Sequence, residues 1–195
     1  MSGLIGFLTR LYAGVFGALE RLTNGWLLGL AARFVFASVL LVYFINSGLT
    51  KIGNGPLGFL SPSDGAYAQI LPTLMEQVSY DTSQIAFFPY GLIVLLGTWA
   101  EFVLPVMVTV GLFTRAASLG MIVFIGVMTY VDITGHHVGA ETIGALFDGN
   151  PGSLIADQRL MWVFVLLVPV LKGGGYFSLD TLLGSYYRKR ERYYY

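Results

Sequence analysis

Four long apolar stretches divide this chain and constrain its fold more than any other feature. They cover residues 26–49, 87–113, 116–131 and 160–171. An α-helix needs about 20 residues to cross the roughly 30 Å hydrocarbon core of a bilayer, so the first three are close to the required length. The fourth is shorter, so a helix that spans the bilayer there must include residues from the flanking sequence. The pattern predicts an all-α integral membrane protein, an antiparallel four-helix bundle.

Composition and charge agree with a membrane protein. Apolar residues make up 55% of the chain and charged residues 11%, which is outside the range of soluble globular domains. The 11 basic residues are balanced by 11 acidic ones, so we expect no basic surface for nucleic acid. The chain has no cysteine, which excludes disulfides and thiolate metal ligands of its own. Its predicted environment is the lipid bilayer.

The chain divides into three predicted segments. Residues 1–25 form an amphipathic helix, with leucines and Val15 on one side and Arg10, Arg21 and several glycines on the other. Such a helix lies in the membrane interface, or its glycine face receives a neighbouring helix. Residues 26–185 form the membrane domain. Residues 186–195 form a basic, Tyr-rich tail suited to contact lipid headgroups.

The distribution of Lys and Arg predicts the orientation of the bundle. The C-terminal tail is basic, and the short turn that contains Arg115 is basic without an acid, so both are expected in the cytoplasm. The longer connections, residues 51–88 and 132–159, carry acids and fit the outer side. Both termini are therefore expected to be cytoplasmic. Within the first long connection, residues 66–78 have helical periodicity and predict a short helix broken near Pro72.

Two charged residues, Arg33 and Glu101, lie within the apolar stretches. An ionised side chain at the bilayer centre costs at least about 2.5–3.5 kcal/mol unless it is paired or hydrated. At 1.5 Å per residue, Arg33 lies roughly 10 Å and Glu101 roughly 15 Å from the cytoplasmic face, so the two can meet. Arg115 lies nearer the rim and competes for the same acid. The pair either locks two helices together or belongs to a quinone or proton site, and the residues leave both open.

A quinone site would use these charged groups directly. In that interpretation Glu101 exchanges a proton, and Arg33 and Arg115 stabilise a reduced anionic headgroup. Trp99 and Phe102 would line an apolar pocket beside them.

A second polar cluster follows the third apolar stretch. It consists of Asp132, His136, His137 and Glu141, of which Asp132, His136 and Glu141 could share one face of a helix. The spacing matches no recognised zinc motif, and adjacent histidines often only terminate a helix. The cluster is therefore a weak hypothesis for a metal site or a proton relay.

The chain resembles the DoxX family over roughly residues 28–183. The resemblance rests on Arg33 in the first stretch, Glu101 in the second, and the segments at residues 47–52, 111–117 and 173–180. Carried over residue by residue, the matching polar positions are Arg33, Lys51, Glu101, Arg115, Ser178 and Asp180. The N-terminal extension, the histidine-containing loop and the Tyr-rich tail depart from the family pattern.

The resemblance implies a four-helix protein of the bacterial inner membrane that is associated with membrane redox systems. Related DoxD proteins belong to a thiosulfate:quinone oxidoreductase, and some DoxX proteins associate with oxidative-stress enzymes. We therefore expect an accessory, non-catalytic subunit of a redox-linked or respiratory complex, with other membrane subunits as partners and no cofactor of its own. A quinone-binding oxidoreductase subunit is the alternative. Transport of a small solute is a weaker one, because buried polar residues are few and no inverted repeat is present.

Overall fold

The computed structural model describes residues 2–191, and the side chains of residues 3–186 within that range. These residues form helices joined by turns and loops, and the one strand-like pairing among them is an isolated bridge between Ile52 and Pro62. The helices, in chain order, are α1 (Ser2–Thr23), α2 (Leu27–Leu49), α3 (Asp64–Ile70), α4 (Pro72–Gln77), α5 (Phe87–Val110), α6 (Thr114–Thr134), α7 (Ala140–Ile143), α8 (Ala156–Lys172) and α9 (Leu179–Glu191).

Four of these helices form a bundle. Helix α5 packs against α2 and α6, and α8 closes the ring by packing against α6 and α2. The predicted all-α membrane fold is confirmed. Three of the described helices, α2, α5 and α6, are long and apolar enough to cross a membrane, rather than the four expected from the sequence. Helix α8 has 17 residues and includes Asp157 and Arg159, so it is the short member of the bundle.

Apolar side chains fill the inside of the bundle and also cover its outside. Phe36 and Phe44 of α2, Met121 of α6 and Leu166 of α8 belong to one buried cluster. The outer faces are just as apolar, with Phe34 70% exposed, as is typical of helices that are solvated by lipid. The exposed apolar surface is a consequence of the same high hydropathy that makes these helices suited to crossing a membrane.

The two ends of the bundle differ in construction. At one end, called here the turn end, a short turn joins α5 to α6 and the loop from Gly173 to Gly175 joins α8 to α9. At the other, called here the cap end, α3 and α4 lie over the bundle and bury Ala66 and Met75. The predicted break near Pro72 is confirmed, because α3 ends at Ile70 and Pro72 begins α4 after a single intervening residue.

One carboxylate holds the turn end together. Gly111 and Phe113, which connect α5 to α6, both have positive φ, at 73° and 44°. The Asp180 carboxylate accepts hydrogen bonds from the backbone N–H of Phe113 at 2.7 Å and of Thr114 at 2.8 Å, and from the Thr114 hydroxyl at 2.6 Å. Asp180 therefore satisfies N–H groups that the first turn of α6 leaves without partners.

The structure describes the N-terminal helix and part of the C-terminal tail that the sequence predicts. The predicted N-terminal helix is confirmed as α1, whose leucine side chains are exposed. Its glycine face is open, since a Cβ added at Gly3 or Gly14 would have no atom within 4 Å. Of the predicted basic, Tyr-rich tail, residues 192–195 lie outside the described residues.

Gly29 lies where α2 packs tightly against the loop that follows α8. A Cβ at Gly29 would lie 2.5 Å from the carbonyl oxygen of Gly173 and 2.9 Å from the nitrogen of Gly175. Gly29→Ala is therefore expected to destabilise the fold by about 1–3 kcal/mol, the usual cost of overpacking. Thermal unfolding in detergent, followed by circular dichroism, measures the change. Gly14→Ala is the matched control: its Cβ meets nothing, so its midpoint should not fall.

Candidate functional site

Arg33 lies buried on α2 and donates only to backbone carbonyls. Its Nε binds the carbonyl of Val108 at 3.1 Å and its Nη2 that of Thr109 at 2.7 Å. Its Nη1 binds the carbonyls of Gly174 and Phe177, both at 2.8 Å. Carbonyls in the last turn of a helix have no partner within that helix and carry its negative dipole end, so they suit a buried cation. Arg33 thus joins α2, the end of α5 and the loop after α8.

The predicted contact between Arg33 and Glu101 is wrong. The carbonyls that bind Arg33 begin at Val108, about 10 Å further along α5 than Glu101 at 1.5 Å per residue. The guanidinium binds instead to the free carbonyls at the end of α5, which the matching depths of the two side chains do not reveal. With all four of those bonds formed, Arg33 needs no acid.

Glu101 pairs instead with Lys51. The Nζ of Lys51 lies 3.0 Å from Oε2 of Glu101, and the two side chains are 5% and 6% exposed. Lys51 follows the end of α2, and its aliphatic stem folds back over the last helical turn, where Nζ also donates to the Ser47 hydroxyl at 2.8 Å. The sequence placed Lys51 in an outer loop, although the reach of a lysine stem and the serine four residues earlier indicate a position inside the bundle.

A cavity of about 490 Å³ adjoins this ion pair. Its walls are mainly apolar side chains of α5 and α6, including Ile93, Leu96, Val123 and Val127. These four residues are also exposed, so the cavity opens on the surface that faces lipid. Its polar lining comes from segments that are far apart in the sequence. It consists of Tyr43, Ser47, Lys51, Gln69, Glu101, Asp132 and His136.

Small residues create this space. Gly97 and Ala100 line the cavity from α5 and, three residues apart, share one face of that helix. Gly120 lines it from α6. Small residues next to an acid within an apolar run are a signal in the sequence that could have located the cavity.

The second predicted cluster is not brought together. Asp132 forms an ion pair with Arg159, whose Nη1 also donates to the Thr129 hydroxyl at 2.8 Å. Nε2 of His136 lies 3.0 Å from the carbonyl oxygen of Gln69. Among the described residues, no three His, Asp or Glu side chains lie close enough together to hold a metal ion.

Two members of that cluster still reach the cavity. Asp132 and His136 line it, whereas His137 and Glu141 do not. His137 has a φ of 50° just beyond the end of α6, and the Glu141 carboxylate lies against Gly139. The helix ends at Thr134, so the helical face on which the prediction depended does not extend to Glu141.

Of the five residues predicted for a quinone site, Glu101 lines the cavity and the others do not. Trp99 donates its indole N–H to the carbonyl of Phe59 at 2.6 Å. The ring of Phe102 packs on Gly48, where a Cβ would lie 2.6 Å from it. Arg33 is bound at the turn end as described, and Arg115 is exposed there beside Gly173.

The cavity combines features that suit an amphipathic ligand. Apolar walls accommodate an apolar body, while the Lys51 ammonium and the Glu101 carboxylate provide a donor and an acceptor fixed in position. Asp132 and His136 add further polar groups to the lining. A ligand with a polar ring and an apolar tail fits this distribution.

A family model described as DoxX matches residues 28–136. The matched part includes Arg33, Lys51, Glu101 and Asp132, and it covers more than half of the chain. No curated protein and no solved structure matches the chain.

The Lys51–Glu101 pair can be tested with a double-mutant cycle. Lys51→Met leaves the Glu101 carboxylate buried without its cation, and breaking such a pair typically costs about 3–5 kcal/mol. Adding Glu101→Gln removes the orphaned charge, so the double variant should be less destabilised than the sum of the single variants, by about 1 kcal/mol or more. Unfolding in detergent gives the change in the free energy of unfolding for the two single variants and the double variant. Arg115→Met, at an exposed cation, serves as the control and should change stability by less than about 0.5 kcal/mol. Additive effects at Lys51 and Glu101 would show that the two charges do not interact.

Proposed function

Because this chain belongs to the DoxX family of multi-pass membrane proteins, we propose that it is an accessory subunit that binds a quinone for a redox-linked membrane complex. The observation that carries the proposal is the cavity of about 490 Å³ beside the Lys51–Glu101 pair. A quinone has two carbonyl acceptors on a flat ring and an apolar tail. The polar and apolar lining of the cavity corresponds to these two parts.

The side chains suggest how the headgroup would be held. The ammonium of Lys51 would donate to one quinone carbonyl, and the tail would leave between Leu96 and Val123 toward lipid. Reduction of a quinone to a quinol takes up two electrons and two protons. In this proposal the two electrons come from a partner protein, and the Glu101 carboxylate takes up the two protons from water one after the other and passes each to a ring oxygen. The chain would therefore not be an enzyme on its own.

The accessory role is supported by surfaces that the bundle leaves open. Helix α1 exposes Leu8, Leu11 and Leu19 on its apolar side, and its glycines offer close approach on the other. A 22-residue helix with this pattern suits the membrane interface, a neighbouring subunit, or both. We infer that α1 lies in the interface and provides the first contact with a partner.

The orientation follows from the basic residues at the turn end. Arg115 and Lys172 are exposed there, and the basic residues of α9 follow in the chain. By the positive-inside rule these residues favour the cytoplasm for the turn end, and we propose that both termini lie on the cytoplasmic side of a bacterial inner membrane. The cavity lies in the other half of the bundle, next to the cap end.

Quinone binding is tested with a variant that fills the cavity. Ala100→Leu adds three carbon atoms to the lining and should weaken binding of decylubiquinone to the purified protein at least about tenfold, equivalent to about 1.4 kcal/mol. Glu101→Gln keeps the shape but removes the charge, and it should weaken binding less than Ala100→Leu. Isothermal titration in mild detergent measures the affinities.

Ala31→Leu is the matched control for this experiment. Ala31 is exposed on α2 and does not line the cavity, so the same added volume should leave quinone affinity unchanged. Equal affinities for the wild type and Ala100→Leu would mean that quinone does not occupy the cavity, and the proposal would fail.

A further inference from the structure

A second cavity, of about 520 Å³, lies at the turn end. It is lined by Arg115 of α6, Lys172 at the end of α8, the glycines of the loop after α8, and the aromatic residues Phe113 and Tyr176. It has no lining residue in common with the cavity beside Glu101. The two cavities are therefore separate sites.

The two cations of this cavity have no protein partner in the described part of the chain. The ion pairs found there are Lys51–Glu101 and Asp132–Arg159, and neither Arg115 nor Lys172 takes part in a side-chain hydrogen bond. Asp180 also lines the cavity, but its oxygens already accept three hydrogen bonds from Phe113 and Thr114. The cavity thus presents two free positive charges and one carboxylate whose acceptor sites are largely in use.

The backbone around these cations is fixed in place. A Cβ at Gly174 would lie 2.7 Å from both Cβ of Ser178 and the Thr114 hydroxyl oxygen, and one at Gly175 would lie 2.6 Å from the carbonyl oxygen of Trp26. The loop is therefore packed against three other segments. The Arg115 guanidinium lies alongside it, since its Nε would be 3.7 Å from a Cβ at Gly173.

The surroundings of the cavity are those expected at the level of lipid headgroups. It lies where the apolar spans α5 and α6 meet, and Phe113 and Tyr176 are exposed at its rim. The ring of Trp26 stands edge-on to that of Phe177 nearby, with centroids 6.4 Å apart. Aromatic rings with basic residues at the end of a span are typical of a membrane–water interface. Leu171, 68% exposed on α8 beside Lys172, offers an apolar surface for an acyl chain.

We propose that this turn-end cavity binds the phosphate of an anionic phospholipid, held by Arg115 and Lys172, with the acyl chains lying on the exposed apolar surface of α8. The positive charge of the site attracts an anion, and its position at the end of the spans favours a lipid over a soluble anion. A bound lipid would sit against the loop that Arg33 joins to α2 and α5, so it would stabilise the turn end. This site is independent of the proposed quinone cavity.

Native mass spectrometry of the full-length protein in mild detergent tests the proposal. Phosphatidylglycerol and phosphatidylcholine carry the same phosphodiester, but only the first has a net negative charge. The wild type should retain phosphatidylglycerol in preference to phosphatidylcholine. Arg115→Gln and Lys172→Gln should each reduce this retention about fivefold, the effect of one basic residue near an anionic lipid surface.

The matched control removes two positive charges elsewhere. Arg10→Gln combined with Arg21→Gln changes the net charge as much as the double variant of Arg115 and Lys172, but on α1. Phosphatidylglycerol retention should survive in this control and fall only in the cavity variant. Equal losses in the two double variants, or no preference in the wild type, would overturn the proposal.

Inorganic phosphate distinguishes a lipid from a soluble anion. If the site takes a lipid, millimolar inorganic phosphate should not displace phosphatidylglycerol from the wild type. Displacement by inorganic phosphate alone would show a site for free phosphate, and the lipid assignment would be wrong. Unfolding midpoints in lipid-free detergent should be equal for all variants, because Arg115 and Lys172 are exposed.

Discussion

The guanidinium of Arg33 is the interaction on which the rest of the bundle depends. A buried cation in an apolar protein is costly unless its donors are satisfied, and here four backbone carbonyls satisfy them. Those carbonyls belong to the end of α5 and the loop after α8, so one side chain fixes how α2, α5 and α8 meet. The Asp180 cap on α6 then completes the turn end. Because Arg33 is fully occupied there, the Glu101 carboxylate must find its partner elsewhere.

That partner, Lys51, gives the opposite half of the bundle its chemical character. Replacing a buried ion pair with apolar residues of similar volume is often neutral or stabilising, so such a pair is weak support for a purely structural role. The Lys51–Glu101 pair also borders a cavity with apolar walls that opens toward lipid. The half of the bundle near the cap end therefore combines fixed charges with free space, whereas the half near the turn end uses its buried charge for packing. This difference between the two buried charged groups supports the assignment of quinone binding to the cavity beside Glu101.

The helices could be predicted from the sequence because hydropathy and length determine them in a bilayer. Helix α1, the pair α3 and α4 and the three spanning helices all follow from local patterns. The partners of Arg33 could not be predicted, because they are backbone carbonyls that every residue carries. The pairing of Lys51 with Glu101 was missed because the apolar run ends at Leu49, and only the folded chain shows the lysine stem turning back into the bundle. The predicted histidine cluster does not form because its spacing assumed a helix, whereas α6 has already ended at Thr134.

The cavity itself depends on small residues whose side chains have no functional group. Gly97, Ala100 and Gly120 provide space by lacking side-chain volume, and their effect appears only when α5 and α6 are packed together. Photoaffinity labelling with an azidoquinone in membrane vesicles, followed by mass spectrometry of the labelled peptides, tests this assignment most directly. Labelling on the cavity-lining parts of α5 and α6, near Leu96 and Val123, that excess unlabelled quinone prevents is the predicted result. Labelling concentrated at the turn end, or spread evenly over the lipid-facing surface, would contradict it.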